Sequence, residues 1–147
     1  MNQYKLLTPG PLTTTETVKQ EMLVDHCTWD DDYQQITQTI RRTLLELGQV
    51  TEPQYTAVLM QGSGTFGVES VLTSVVGRND KVLIAANGAY GLRMAEICRH
   101  AGVDFVLYGQ ENFKIPEADK GAAILASDPA VTRVAMVHGE TTGGILN

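Results

Sequence analysis

The strongest chemical signal in the chain is Gln61-Gly62-Ser63-Gly64-Thr65-Phe66-Gly67-Val68-Glu69. It lies between a short apolar run and a stretch of helical spacing, so it reads as a strand-to-helix turn. Glycines let the backbone approach a ligand closely. The free amides of a first helical turn point outward, and the helix dipole favours a negative group there. Ser63 and Thr65 add hydroxyl donors. These are the parts of a phosphate cup, although a tight turn with Ser63 or Thr65 as a plain N-cap uses the same residues. Gly62, Gly64 and Gly67 also satisfy G-x-G-x-x-G. A dinucleotide site, however, expects an acidic residue about 20 positions further on, at the end of the next strand. That strand ends Ala85-Ala86-Asn87-Gly88, without an acid. No Gly-Lys-Ser/Thr follows the glycines, which excludes a P-loop.

A second candidate is Asn87-Gly88-Ala89-Tyr90-Gly91-Leu92-Arg93, at the next strand-to-helix turn. Tyr90 there can lay its ring over a planar ligand or plug the turn as a core aromatic. The third is His138-Gly139-Glu140-Thr141-Thr142-Gly143, after a later strand. Its hydroxyls can bond a phosphate or a ring substituent, and Glu140 can fix the loop through a backbone or arginine contact. His138 has no suitably spaced second histidine and is expected to be structural, as are His26 and His100. Asp30-Asp31-Asp32 is expected to be a solvated helix start rather than a cation site. No metal site is expected. There is no Gly-x-Ser-x-Gly elbow and no Cys/His pairing, so no catalytic nucleophile is assigned.

The elements that would position these turns can be read from periodicity. Residues 1–14 are a proline- and threonine-rich arm. Residues 15–25 suit a short helix. Ile36, Ile40, Leu44 and Leu47 recur at helical spacing, with Gly48 as the stop. From residue 56 strands and helices alternate. Ala57-Val58-Leu59-Met60 reads as a strand, and Phe66 to Val75 as a helix ending at Gly77. Lys81 to Ala86 is a strand, followed by a helix that stops near Gly102. Val103 to Tyr108 is a strand, Ala118 to Ala126 a helix, and Arg133 to Val137 a fourth strand. Apolar strands separated by helices imply an α/β fold with a mostly parallel sheet, helices covering both faces.

The 147 residues are 43% hydrophobic and 19% charged, an ordinary globular composition. The net charge of -6, with 11 scattered basic residues, excludes a nucleic-acid or anionic-membrane binder. No stretch approaches a signal peptide or a transmembrane span. Cys27 and Cys98 fit neither a metal motif nor a disulfide framework, so a reducing, cytoplasmic setting is expected.

Five segments together resemble one family, in register along the whole chain: the 2-aminoethylphosphonate–pyruvate aminotransferases. They are Leu6-Leu7-Thr8-Pro9-Gly10-Pro11-Leu12-Thr13-Thr14, Asp25-His26-Cys27-Thr28-Trp29-Asp30-Asp31-Asp32-Tyr33, Gln61-Gly62-Ser63-Gly64-Thr65, Ala86-Asn87-Gly88-Ala89-Tyr90-Gly91 and Ala135-Met136-Val137-His138. The resemblance implies part of the large domain of a fold-type I pyridoxal-phosphate-dependent transferase. Residues 1–55 would be an N-terminal arm and helices, and residues 56–147 a truncated pyridoxal-phosphate-binding α/β domain. It implies a small-molecule reaction, amino transfer from 2-aminoethylphosphonate to pyruvate giving phosphonoacetaldehyde and alanine, within a homodimer. Carried over by position, Ser63, Gly64 and Thr65 hold the cofactor phosphate, Tyr90 stacks on the pyridine ring, Thr141 hydrogen-bonds the cofactor and Gly10 approaches the substrate. Gly143 departs from the family pattern, which has a third threonine there.

The family's pyridine-nitrogen aspartate, Schiff-base lysine and carboxylate-binding arginine match no residue in 1–147. The chain alone is therefore expected to be inactive, and to self-associate through faces left uncovered. A folded module that only self-associates or binds phosphate ligands is the alternative, and a dinucleotide-binding domain the third reading.

Overall fold

A computed structural model describes residues 4–8, 10–111 and 113–147. The chain forms two compact units, Met1–Leu59 and Met60–Asn147.

In the first unit, Leu7 and Leu12 pair across a reverse turn that carries Gly10, and the Leu6 amide donates to Thr13 Oγ1 at 2.7 Å. Leu6 and Leu7 thus face Leu12 and Thr13 as the two sides of a small hairpin. Helix α1 spans Glu16–Glu21, with Thr15 as its N-cap. It is shorter than the expected 15–25, because the chain turns at Met22 and Leu23. Helix α2 spans Asp31–Leu47 and stops at Gly48 as expected. Asp30 is its N-cap and Asp31 and Asp32 lie in its first turn, where carboxylates offset the helix dipole. The residues 57–60 read as a strand are not one. Strands exist only when paired, and this segment has no ladder partner among the described residues. It is held instead by Arg41, whose Nε donates to the Ala57 carbonyl at 3.0 Å.

The second unit is a parallel α/β layer. Helix α3 spans Gly64–Val75, strand β1 Lys81–Ala86, helix α4 Ala89–Ala101, strand β2 Phe105–Gly109, helix α5 Ala118–Ser127 and strand β3 Val131–Met136. The strand order is β2-β1-β3, all parallel. β1 is central and buried from Val82 to Ala86, as expected for a run apolar on both faces. Val82, Ile84 and Ala86 face one side and pack with Leu72 of α3 and Met94, Ala95 and Cys98 of α4. Side chains alternate along a strand, so Leu83 and Ala85 face the other side.

The chain leaves β1 for β2 through α4, then returns past β1 to β3 through α5. Two right-handed crossovers in opposite directions put α4 and α5 on opposite faces. Cover on the α5 side is partial: Val134 and Met136 of β3 are 58% and 46% exposed. Helix α4 ends at Gly102, whose φ of 68° is the left-handed C-cap a glycine adopts without strain. After β3 comes a two-stranded hairpin that the sequence reading had not separated from a loop: β4, Gly139–Glu140, against β5, Ile145–Leu146.

Candidate functional site

In a parallel sheet the ligand end is the carboxyl edge, beside the point where the strand order reverses. Here that point is β1, with α4 beginning directly after it and β4 following β3. The first turn of α3 reaches the same edge. Arg93, one turn into α4, donates from Nη1 to Thr65 Oγ1 at 3.3 Å. The glycine loop and the Tyr90 turn are therefore neighbours.

Each predicted site residue can be placed. Ser63 is the N-cap of α3, and its Oγ accepts from the Phe66 amide at 3.2 Å. Gly64 and Thr65 follow in the first turn. Their amides have no acceptor among the described residues, and a Cβ added at Gly64 would meet nothing within 4 Å. Gly62 opens the loop with φ 158°, its Cα lying so close to the Phe66 ring that an added Cβ would stand 2.6 Å from Cδ1. Phe66 thus packs its ring against Gly62. Tyr90 is the second residue of α4 and is 41% exposed, with the Arg93 guanidinium 5.6 Å from its ring centroid. It is not a core plug. Thr141 lies exposed in the β4–β5 turn, with no side-chain hydrogen bond among the described residues. Gly10 is exposed in the hairpin turn of the first unit, a separate compact unit from the other five residues.

The residue that ties the carboxyl edge together is Glu140, fully buried. Its Oε2 accepts from the Tyr90 amide at 3.2 Å, and its Oε1 from the Thr142 amide at 3.3 Å and from the Thr142 hydroxyl. Thr142 Oγ1 in turn accepts from the Ala89 amide at 3.4 Å. The N-cap of α4 is Gly88, which has no side chain to cap with. The first two amides of α4 are capped from β4 and the turn after it instead. The contact is so close that a Cβ on Gly88 would lie 2.4 Å from Glu140 Cδ. Beside it, Asn87 is buried and exchanges two hydrogen bonds with Asn147, at 2.8 and 3.1 Å. The backbone contact of Glu140 was one of two options left open by the sequence. The Asn87–Asn147 pair was not foreseen, and nothing in the spacing of two asparagines 60 apart signals it.

His138 is exposed, and no cluster of His, Cys, Asp and Glu among the described residues is arranged for a metal ion. Cys98 is buried in the core, and desolvation pushes its thiol up from its ordinary value, away from nucleophilic use. No described helix is long and apolar enough to cross a membrane.

The arrangement has two parts. The start of α3, where the Ser63 cap serves Phe66 and leaves the Gly64 and Thr65 amides open, is the kind of helix N-terminus that can accept an anion. A half-exposed aromatic ring stands next to it, above a sealed helix start. This fold is that of a segment of the large domain of fold-type I, class V aminotransferases. A ureidoglycine–glyoxylate aminotransferase of Bacillus subtilis superposes with a TM-score of 0.83 at 28% identity, over 95% of this chain and 36% of that one. An alanine–glyoxylate aminotransferase of Nostoc gives 0.83 at 25% identity, over 99% and 39%.

Within that class the chain is homologous along its whole length to the 2-aminoethylphosphonate–pyruvate transaminases. It is 60% identical to that of Lysinibacillus sphaericus over all 147 residues, 53% to that of Klebsiella pneumoniae over 145 and 46% to that of Bacillus cereus over 146. The chain spans about 40% of the length of the curated relatives it matches. No family profile matches it.

Proposed function

We propose that residues 56–147 form the phosphate-holding and ring-holding part of a pyridoxal 5'-phosphate site, in a protein that moves the amino group of 2-aminoethylphosphonate to pyruvate. The observation that carries this is the pairing of the open α3 start with Tyr90 at the same sheet edge. The group fits the residues present. Its phosphate is a dianion, and the Gly64 and Thr65 amides with the Ser63 and Thr65 hydroxyls offer donors at the positive end of a helix. Its ring is planar, and Tyr90 is exposed beside that cup. Thr141, free in the adjoining turn, is the hydroxyl available to a ring substituent. Gly10 is proposed on resemblance alone as a substrate contact.

When bound, the cofactor supplies the carbonyl carbon that takes up the amino group and a ring that accepts electrons. This chain's residues hold and orient it. The five lysines, Lys5, Lys19, Lys81, Lys114 and Lys120, do not serve as its covalent anchor. Lys81 begins β1 at the opposite sheet edge and pairs with Asp128; Lys114 and Lys120 pair with Glu111 and Glu117. Residues 1–147 by themselves therefore form no alanine from 2-aminoethylphosphonate and pyruvate. The setting proposed is cytoplasmic and the assembly a homo-oligomer. The exposed stripe Ile36, Ile40, Leu44 and Leu47 on α2 supports self-association.

The test is Gly64→Asp. The site has room for the side chain, and an acid at the start of a helix favours folding by roughly 0.3–1 kcal/mol. The same charge repels a phosphate. Titration with pyridoxamine 5'-phosphate, followed by its fluorescence, should show saturable binding to the unsubstituted chain and none to Gly64→Asp, whose melting temperature is unchanged or raised. Equal binding by both would refute the phosphate assignment.

A further inference from the structure

We propose that Glu140 is a positioning residue for the aromatic platform: it fixes the first turn of α4 so that Tyr90 presents its ring to the ligand. The inference deepens the reading above and rests on it. Three observations carry it. Gly88 gives α4 an N-cap without a capping side chain. The carboxylate that replaces it comes from β4, 50 residues away in sequence, and accepts from the backbone amide of Tyr90 itself. It is fully buried, with the Tyr90 amide and both donors of Thr142 as its hydrogen-bond partners.

A purely stabilising cap would serve equally well on any first-turn amide. This one grips the residue whose side chain is half-exposed at the ligand edge. It also joins that residue to the turn holding Thr141, one residue after Glu140. The two arms of the ring site thus share one carboxylate, and the ring substituent donor and the stacking face keep a fixed spacing. Thr142 completes the link, because its hydroxyl faces Glu140 on one side and the Ala89 amide on the other. A glutamine at 140 cannot reproduce this. Its amide nitrogen would be a donor set against a donor, at either Tyr90 or Thr142, and one anchor would be lost.

The experiment compares pyridoxamine 5'-phosphate binding in the unsubstituted chain, Tyr90→Leu, Glu140→Gln and the double variant. Stacking on an aromatic side chain makes each single loss roughly tenfold. If Glu140 acts through Tyr90, the double variant is weakened by about the same factor, not by the ~100-fold expected of independent contributions. Additive losses, or no loss in a Glu140→Gln variant whose Tyr90 amide has lost its protection, would overturn the proposal. Thr142→Val, which keeps the carboxylate and removes one of its donors, repeats the cycle if Glu140→Gln does not fold.

Amide exchange provides a second readout that needs no ligand. The Tyr90 and Thr142 amides should both be protected in the unsubstituted chain and one of them unprotected in Glu140→Gln, while the amides from Arg93 to His100 stay protected. If the unsubstituted chain fails to bind the probe, the cofactor reading fails. The anchor is then judged by contacts between the Tyr90 ring and the Arg93 side chain in nuclear Overhauser spectra. Their retention in Glu140→Gln would show that the ring does not depend on the carboxylate.

Discussion

Gly91→Ala and Gly121→Ala are the same chemical change in two helices, and the structure sets their signs apart. Gly91 is buried in the first turn of α4. An added Cβ would stand 2.7 Å from Ala86 Cβ and 2.8 Å from Ala86 Cα. Ala86 ends the central strand and is 2% exposed, so neither partner can rotate away and α4 must lift from β1. Overpacking of this kind costs roughly 1–3 kcal/mol. Alanine's better helix propensity returns about 0.8–1 kcal/mol. The net effect is a destabilisation of roughly 0–2 kcal/mol. Gly121 lies inside α5, where an added Cβ meets nothing within 4 Å. Only the propensity gain remains there, about 0.5–1 kcal/mol of stabilisation. Urea unfolding followed by circular dichroism should move the two midpoints in opposite directions at equal m. Gly91→Ala should also weaken pyridoxamine 5'-phosphate binding, because Tyr90 is the adjacent residue on the displaced turn; Gly121→Ala should not. If both variants are stabilised alike, the close approach of α4 to β1 is refuted.

Ile84→Ala, at a fully buried position in the middle of β1, should cost about 2–5 kcal/mol of unfolding free energy by denaturant titration. The Lys81–Asp128 ion pair, 2.7 Å long, gives a pH dependence. Its hydrogen bond to Lys81 holds Asp128 below the ordinary 3.8, and that to Asp128 holds Lys81 above the ordinary 10.5. A lowered carboxylate contributes its stability above the ordinary value and loses it as pH falls through the lowered one. A raised lysine contributes below 10.5 and loses its part as pH rises through the raised value. Asp128→Asn should therefore flatten the fall in melting temperature at both the acid and the alkaline end, while leaving the shape of the curve between them intact. Light scattering at micromolar concentration should give a mass above the monomer's 16.0 kDa, and Ile40→Asp should bring it down towards that value.

The parts of the fold that rest on local periodicity were legible. Lys81 to Ala86 was read as a strand residue for residue, because five buried apolar residues in a row admit little else. The stops at Gly48 and Gly102 were likewise read from residue type. Residues 57–60 misled for a definite reason. A strand is a pairwise object, and an apolar run states only that a partner would be welcome. The β4–β5 hairpin failed in the opposite sense. Its strands are two residues each, too short for any period, and the one sign of it, Gly143-Gly144 with Gly144 at φ 64°, is equally the sign of a loop. The helix start at Ser63, Gly64 and Thr65 was legible because a capping serine after an apolar run advertises itself locally; the phosphate assigned to it belongs to the proposed function. For Glu140 a backbone contact was one of two options left open, but its partner, the Tyr90 amide, was not legible, since a carboxylate that caps a helix 50 residues away leaves no spacing rule behind.

Two helices begin at the same edge of this sheet, and sequence alone gives them similar credentials: each follows an apolar run and each opens on glycine. They differ in what happens to the first amides. At α3 the capping hydroxyl of Ser63 is local and serves Phe66, so the amides of Gly64 and Thr65 stay open. At α4 the cap is a buried carboxylate, which places a negative group where an anionic ligand would otherwise sit. The second helix start is thus spent on protein. In the proposed cofactor site that asymmetry sets the polarity: the phosphate goes to α3 and the ring beside Tyr90. A ligand with a phosphate at one end and a planar ring at the other can then bind in one direction only. Glu140 is what keeps the two ends different, which is why a residue that faces no solvent bears on what the surface can hold.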